Sequence, residues 1–175
     1  MKAIILILNA FRDLIIRHLP RMRKKCGFAF IVHPRNIPDV YRKYPFLKIL
    51  PVTALEWFLR NYWPVVLSKI EGMKDKNGNP LKGWIITISL TAEQMLKDRE
   101  LAKKKIIQAV KLAEKMGAEI TGLGAFTASV TNGGKEIVSQ TKTFITSGNS
   151  LTAGITISEI DKILKDKNFK DLKMA

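Results

Sequence analysis

Residues whose types and spacing suit chemistry gather in two glycine-bearing stretches of the C-terminal half. The first is Gly122-Leu123-Gly124-Ala125-Phe126-Thr127, which follows an apolar run. Two glycines one residue apart after a strand are how a dinucleotide-binding loop begins. Such a loop lets a pyrophosphate approach the backbone, and a following helix turns its free N–H groups toward it. That chemistry needs a third glycine, a helix, and an acidic residue about twenty positions further on. Thr127 stands in the third position, "TASVTNGG" is β-branched and turn-forming rather than helical, Glu136 comes too early and Glu159 too late. The Walker pattern is absent as well, so a phosphate loop is not expected here.

The second stretch is "TSGNSLTAG", Thr146 to Gly154. Ser150 or Thr152 is placed to cap a closing helix and leave its first N–H groups open to an anion or a carbonyl. Both stretches end predicted strands, and in open α/β sheets ligands bind at strand ends. The competing reading is two tight connections that need the φ freedom of glycine, and spacing alone supports the two readings equally. Other chemistry is scarce. Cys26 is the one cysteine, which excludes a disulfide framework and a thiolate zinc site and fits a reducing, cytoplasmic compartment. His18 and His33 are too far apart and too differently placed for a metal pair. No metal site and no catalytic residue are expected in these 175 residues.

The elements that position these loops read as α/β. "FAFIV" is a short buried strand, followed by a turn and a short helix through "HPRNIPDVYRKYP". "TALEWFLRNYW" is a helix with Thr53 at its cap and Leu55, Phe58, Leu59 and Tyr62 at helical spacing. "PVVLSKIEGM" and "GWIITISL" form a hairpin around Asn77-Gly78. Thr91 and Gln94 make a capping box for a long helix with Met95, Ala102, Ile106, Ala109, Ala113 and Met116 inward and Gly117 at its C-cap. "AEITGL" and "TFIT" are strands, and a closing helix runs through "SLTAGITISEIDKILKD". Trp57, Trp63 and Trp84 read as core or core-edge side chains. The alternation predicts a mixed, largely buried sheet flanked by helices. The organisation is a basic amphipathic helix over 1–26, an α/β domain over 27–165, and a lysine-rich tail over 166–175.

Thirty Lys+Arg against fifteen Asp+Glu leave a net charge of +15. A field of that sign attracts polyanions: nucleic acid, anionic lipid, or an acidic protein. No nucleic-acid motif supports the first, so no specific nucleic-acid partner is expected. The N-terminal stripe Ile4, Leu8, Phe11, Ile15, Leu19 and Met22, with arginines off it, suits an anionic membrane surface or packing on the protein itself. Its uninterrupted apolar part, Ala3 to Leu8, is far too short to span a bilayer, and no cleavage site follows it. Lys103, Lys104 and Lys105 are expected across the outer surface of the long helix, where an acidic carrier protein would meet them.

The blocks "FAFIVHPRNIPDVYRKYPFLKILP", "LTAEQMLKD", "KKIIQAVKLAEKMGAEITGLGAFTASV" and "TSGNSLTAG" occur in an order and separation that resemble the N-terminal region of a bacterial family. Its members are predicted amino-acid dehydrogenases related to long-chain acyl-[acyl-carrier-protein] reductase, which forms fatty aldehydes. The resemblance runs from about Phe28 to Ile160 and is most specific in "GLGAFT" and "TSGNSLTA". It implies a two-part enzyme in which this α/β region forms one wall of a cleft and a following Rossmann domain brings NADPH. On that reading Gly122, Gly124, Ala125, Phe126 and Thr127 line the cleft from one loop, and Thr146, Gly148, Asn149, Ser150 and Thr152 from the next. It implies an acyl carrier protein or acyl-CoA as substrate donor and a Rossmann-domain polypeptide as partner. An amino-acid-like substrate and a non-enzymatic lipid-binding role are the alternatives. The chain stops where the family's nucleotide-binding strand would begin, and no position matches the cysteine that takes the acyl group. Redox activity of this chain alone is therefore not expected, and no cofactor is expected within it.

Overall fold

The computed structural model describes residues 27–166 and Ile15, so the helix expected over 1–26 and the tail beyond 166 lie outside the described residues. Five strands form one sheet: β1 (Gly27–Val32), β2 (Val65–Ile70), β3 (Lys82–Thr87), β4 (Ala118–Leu123) and β5 (Phe144–Thr146). Their order is β2-β3-β1-β4-β5. β3, β1, β4 and β5 run parallel, and β2 is an antiparallel edge on β3. Within residues 27–166, six α-helices connect and flank them: α1 (Ile37–Lys43), α2 (Val52–Asn61), α3 (Ala92–Lys97), α4 (Arg99–Lys115), α5 (Phe126–Val130) and α6 (Asn149–Asp166). The chain leaves β1 toward β3 on one side and leaves β4 toward β5 on the other. The switch point, where open α/β sheets bind ligands, therefore falls between β1 and β4.

Local chemistry explains the boundaries. Asn36 caps α1 by accepting from the Asp39 N–H at 3.0 Å, and the hairpin turn is held by Asp75, whose Oδ1 accepts from the Asn77 and Asn79 N–H groups, both at 2.8 Å. Gly78 takes the left-handed conformation that the turn requires (φ +82°). The Thr91–Gln94 capping box forms in both directions. The long helix expected after it is two helices. Asp98 interrupts it, accepts from the Leu101 N–H at 3.0 Å and so caps α4, while its other carboxylate oxygen meets Arg60 of α2. Gly117 closes α4 at φ +94°. For α2 the expected cap is wrong: the helix begins at Val52 after Pro51, with no side-chain cap, and Thr53 lies inside it.

One sheet face carries the main core. Ala29, Ile31, Trp84 and Ile86 point to it and meet Ala102, Ile106, Ala109, Val110 and Ala113 of α4, all buried. Each isoleucine or valine among them contributes on the order of 2 kcal/mol by leaving water, and each alanine less. The other face carries Phe28, Gly83 and Ile120 in one row and Phe30, Ile85 and Gly122 in the next. Only its β3–β2 half is covered, by α1 and α2, which share a small core of Val40, Leu55 and Leu59. Phe30, Ile120 and Phe144 remain exposed on the β1–β4–β5 half, so β1 is buried on one face rather than on both. Trp84 is buried and Trp63 half-buried, but Trp57 is exposed, contrary to its expected core placement, because Leu55 and Leu59 already supply the inward stripe of α2.

Candidate functional site

A large hollow lies over the β1–β3–β2 half of that second face. It is a cavity of about 760 Å³ walled by Val32 and His33 at the end of β1, Thr87 and Ile88 at the end of β3, and Val65 and Leu67 of β2. Helices α1 and α2 and the turn between them roof it with Val40, Tyr44, Phe46, Leu47, Phe58, Leu59, Tyr62 and Trp63. Its size falls within the range of small-molecule sites, and its walls are mostly aliphatic and aromatic.

The polar groups at its edge are few and mostly engaged. Ser89 Oγ donates to the Tyr62 carbonyl at 2.8 Å, and Thr87 Oγ1 to the Ile88 carbonyl at 2.9 Å. Asp39 is held below its usual range by its hydrogen bond from Arg35, with Arg42 adding to the effect. Burial pushes the Tyr44 phenol up, so it stays protonated. His33 links the cavity to the glycine loop. Its Nδ1 lies 2.9 Å from the Pro34 carbonyl, so that nitrogen carries the proton and donates, while Nε2 accepts from the Phe126 N–H at 3.2 Å. The two rings also meet edge to face at 6.4 Å. His33 therefore ties the end of β1 to the β4–α5 turn across the switch point.

The glycine loop has a structural role that its spacing does not reveal. A Cβ on Gly122 would lie 2.6 Å from the Phe30 ring, and one on Gly124 2.7 Å from that ring and 3.0 Å from the Ile31 carbonyl. Both glycines are bare so that Phe30 can lie across β4. The residues after them do form a helix, α5, contrary to the expectation from "TASVTNGG". It is stapled by side chains: Thr127 Oγ1 donates to the Gly124 carbonyl and Thr131 Oγ1 to the Thr127 carbonyl, each at 2.7 Å. Thr127 is thereby fully buried and turned away from any cleft. A nucleotide pyrophosphate does not fit this loop. Phe30 fills the space over both glycines, and His33 already takes the Phe126 N–H.

Of the residues expected to line a cleft from two loops, Ala125 and Asn149 come together. They border a second, polar cavity of about 310 Å³ with Ser129, Asn132, Gly133 and Ser147. Ala125 holds φ +50°, a conformation rarely tolerated by a residue with a Cβ. Gly122 and Gly124 accommodate Phe30, Phe126 meets His33, and Thr127 staples α5 to Gly124. Thr146 Oγ1 accepts from the Gly148 N–H at 3.1 Å, and Gly148 is left-handed (φ +76°). Ser150 and Thr152 do not cap α6, because the helix already begins at Asn149, and Thr152 Oγ1 turns back to the Gly148 carbonyl at 3.2 Å. The α4 lysines diverge too. Lys105 is buried and donates to the Tyr62 carbonyl at 2.6 Å, and Lys103 pairs with Glu100 and Glu136, both at 2.7 Å. Only Lys104 of the three is exposed.

Comparison with known proteins gives partial likeness only. No family profile matches the chain. Aminotransferase PigE of Serratia sp. (strain ATCC 39006) is 27% identical over 132 residues, which cover 71% of this chain and 15% of that protein. The chain thus spans a small part of the length of the curated relative it matches. Among the described residues, no group of three or more His, Cys, Asp or Glu side chains is arranged to hold a metal ion, and no helix is long and apolar enough to cross a membrane.

From sequence, the apolar hairpin and Trp84 read as borders of an acyl tunnel or as core. The hairpin residues Val65, Leu67 and Thr87 do line the cavity, and Trp84 belongs to the main core. The α1–α2 roof is what sequence reasoning missed. Its aromatic side chains read as core, and His33 was considered only as a metal ligand. A usable signal was present: all three tyrosines and two of the three tryptophans fall between positions 41 and 63, in a segment too short to bury them all.

Proposed function

We propose that this chain is the acyl-binding part of a long-chain acyl-thioester reductase, with NADPH and the acyl-accepting cysteine on a polypeptide segment beyond these residues. The apolar cavity of about 760 Å³ carries the reading. A methylene is about the size of a water molecule, whose share of liquid volume is about 30 Å³, so roughly 25 such groups are the ceiling and an acyl chain of about 16 carbons falls below it. The aliphatic and aromatic walls exclude water from the chain. Arg42 and Lys43 at the rim suit the anionic head of a coenzyme A or carrier-bound donor. On this reading the thioester end lies beside His33 and the turn it holds, at the switch point. Of the α4 lysines, Lys104 is the one placed to meet an acidic carrier. Binding, orienting and shielding the acyl group are the tasks of these residues, and a nucleotide is assigned to none of them. An aldehyde is the class of carbonyl a transaminase accepts, so an aldehyde-forming unit is chemically compatible with the likeness to a segment of an aminotransferase.

Titration with palmitoyl-CoA and with free coenzyme A, followed by tryptophan fluorescence, tests the reading. The acyl ester should bind at least tenfold more tightly, and Leu67→Trp, which partly fills the cavity from β2, should shrink the difference. Equal affinity for the two ligands would remove the acyl reading.

A further inference from the structure

The turn between α1 and α2 and the outer side of α2 carry a surface that the cavity does not explain. Ile49 is 87% exposed and Trp57 68%, with Val52, Leu50, Phe46 and Phe58 also exposed in the same short stretch. A surface helix ordinarily has one apolar stripe. On α2, Leu55 and Leu59 face inward and Val52 is the exposed N-terminal end of that same stripe, whereas Trp57 lies about 140° around the helix from Val52 and faces out. Around this patch stand Arg42, Lys43, Lys48 and Arg60 against one acid of the stretch, Glu56. Arg42 is paired with Asp39 and Arg60 with Asp98, whereas Lys43 and Lys48 have no carboxylate partner among the described residues. Phe46 and Phe58 belong both to the patch and to the cavity wall, and Lys43 to the cavity rim. The patch is therefore continuous with the cavity mouth.

We propose that this surface, the turn Pro45–Ile49 with the outer side of α2, docks on an anionic lipid bilayer and opens the cavity toward it. An indole among exposed aliphatics matches the headgroup–acyl boundary, where tryptophan is enriched. Unpaired lysines beside it match the negative surface potential of anionic lipid, at about fivefold in affinity for each. The chain's net charge of +15 disfavours a second copy on the same patch. The proposal is independent of the basic N-terminal stripe and of the acyl-reductase reading, since its readout is vesicle binding without any acyl ligand.

The test is flotation of the full chain with vesicles of phosphatidylcholine alone and of phosphatidylcholine mixed with phosphatidylglycerol. Binding should be confined to the mixed vesicles and accompanied by a blue shift of tryptophan emission. Ile49→Ser with Trp57→Ser should weaken it more than tenfold, and Lys43→Gln with Lys48→Gln about twenty-fivefold. Thermal unfolding midpoints unchanged from the parent would confirm that the variants fold. Phe11→Ser, in the N-terminal stripe, should leave most of the binding intact. Three results would overturn the proposal: equal binding to neutral vesicles, binding lost with Phe11→Ser but kept by the Ile49/Trp57 variant, or a dimer in sedimentation velocity that the Ile49/Trp57 variant dissociates while vesicles are not bound.

Discussion

Gly122→Ala is predicted to be destabilising only because of Phe30. The new Cβ would lie 2.6 and 2.7 Å from two atoms of the Phe30 ring, and beyond its chain neighbours no backbone atom lies nearer than 3.7 Å. The ring must swing on a half-open sheet face, since Phe30 is 44% exposed. An off-rotamer aromatic costs about 0.5–1.5 kcal/mol and overpacking about 1–3 kcal/mol, so a loss of about 2 kcal/mol is expected. With Phe30→Ala in the background the obstruction is gone. Alanine should then be neutral or stabilising by about 0.5 kcal/mol, because glycine loses more conformational freedom in a strand. Urea unfolding of the four proteins in the cycle should therefore give a coupling of about 2 kcal/mol between positions 122 and 30. A cost at Gly122 that persists unchanged in the Phe30→Ala background would refute the packing explanation and return the glycine to a role in ligand approach.

Other consequences follow from single contacts. Asp98→Ala should cost about 1 kcal/mol by uncapping α4, with Asp98→Asn recovering most of it, as read by urea midpoints. The Leu101 N–H, and then Arg60, hold the Asp98 carboxyl below its usual range, so its stabilisation is present above a pH of about 4 and fades as pH falls through the lowered folded value. The Asp98→Ala chain should accordingly lose less stability between neutral pH and pH 3 than the parent, measured by thermal unfolding. Lys105→Glu should lower stability by at least about 2 kcal/mol, since it places a carboxylate against the Tyr62 carbonyl in a buried position. Lys104→Glu on the same helix should leave the unfolding midpoint within experimental error. His33→Ala removes the acceptor of the Phe126 N–H and should cost about 1–3 kcal/mol, with faster amide exchange at Phe126 as its specific signature.

Where structure depends on neighbours in sequence, it was legible. Short apolar, β-branched runs marked the five strands, a 3.6-residue period marked the α4 face, and Asn77-Gly78 and Thr91/Gln94 marked a turn and a cap. What escaped depends on partners distant in the chain. Nothing near Lys105 announces that its amine reaches a carbonyl 43 residues away, and nothing near Asp98 announces Arg60, 38 residues earlier. α5 escaped because β-branched residues disfavour a helix locally, and the threonine hydroxyls that staple it act only once the turn exists. The cavity roof escaped for a different reason. An apolar residue facing a hollow and one facing a packed core follow the same periodicity, so the pattern that located α1, α2 and β2 does not separate the two. The glycine loop carried a true signal of close approach, but the approaching group is Phe30 rather than a ligand.

The most direct test of the acyl-binding account is the dependence of affinity on chain length. Coenzyme A esters of increasing even length should bind by titration calorimetry with a gain of about three- to fourfold per methylene, the value for removing a CH₂ from water, until the cavity is filled. Leu67→Trp should move that plateau to a shorter chain. An affinity that does not change with chain length, in the parent and in Leu67→Trp alike, would contradict the account.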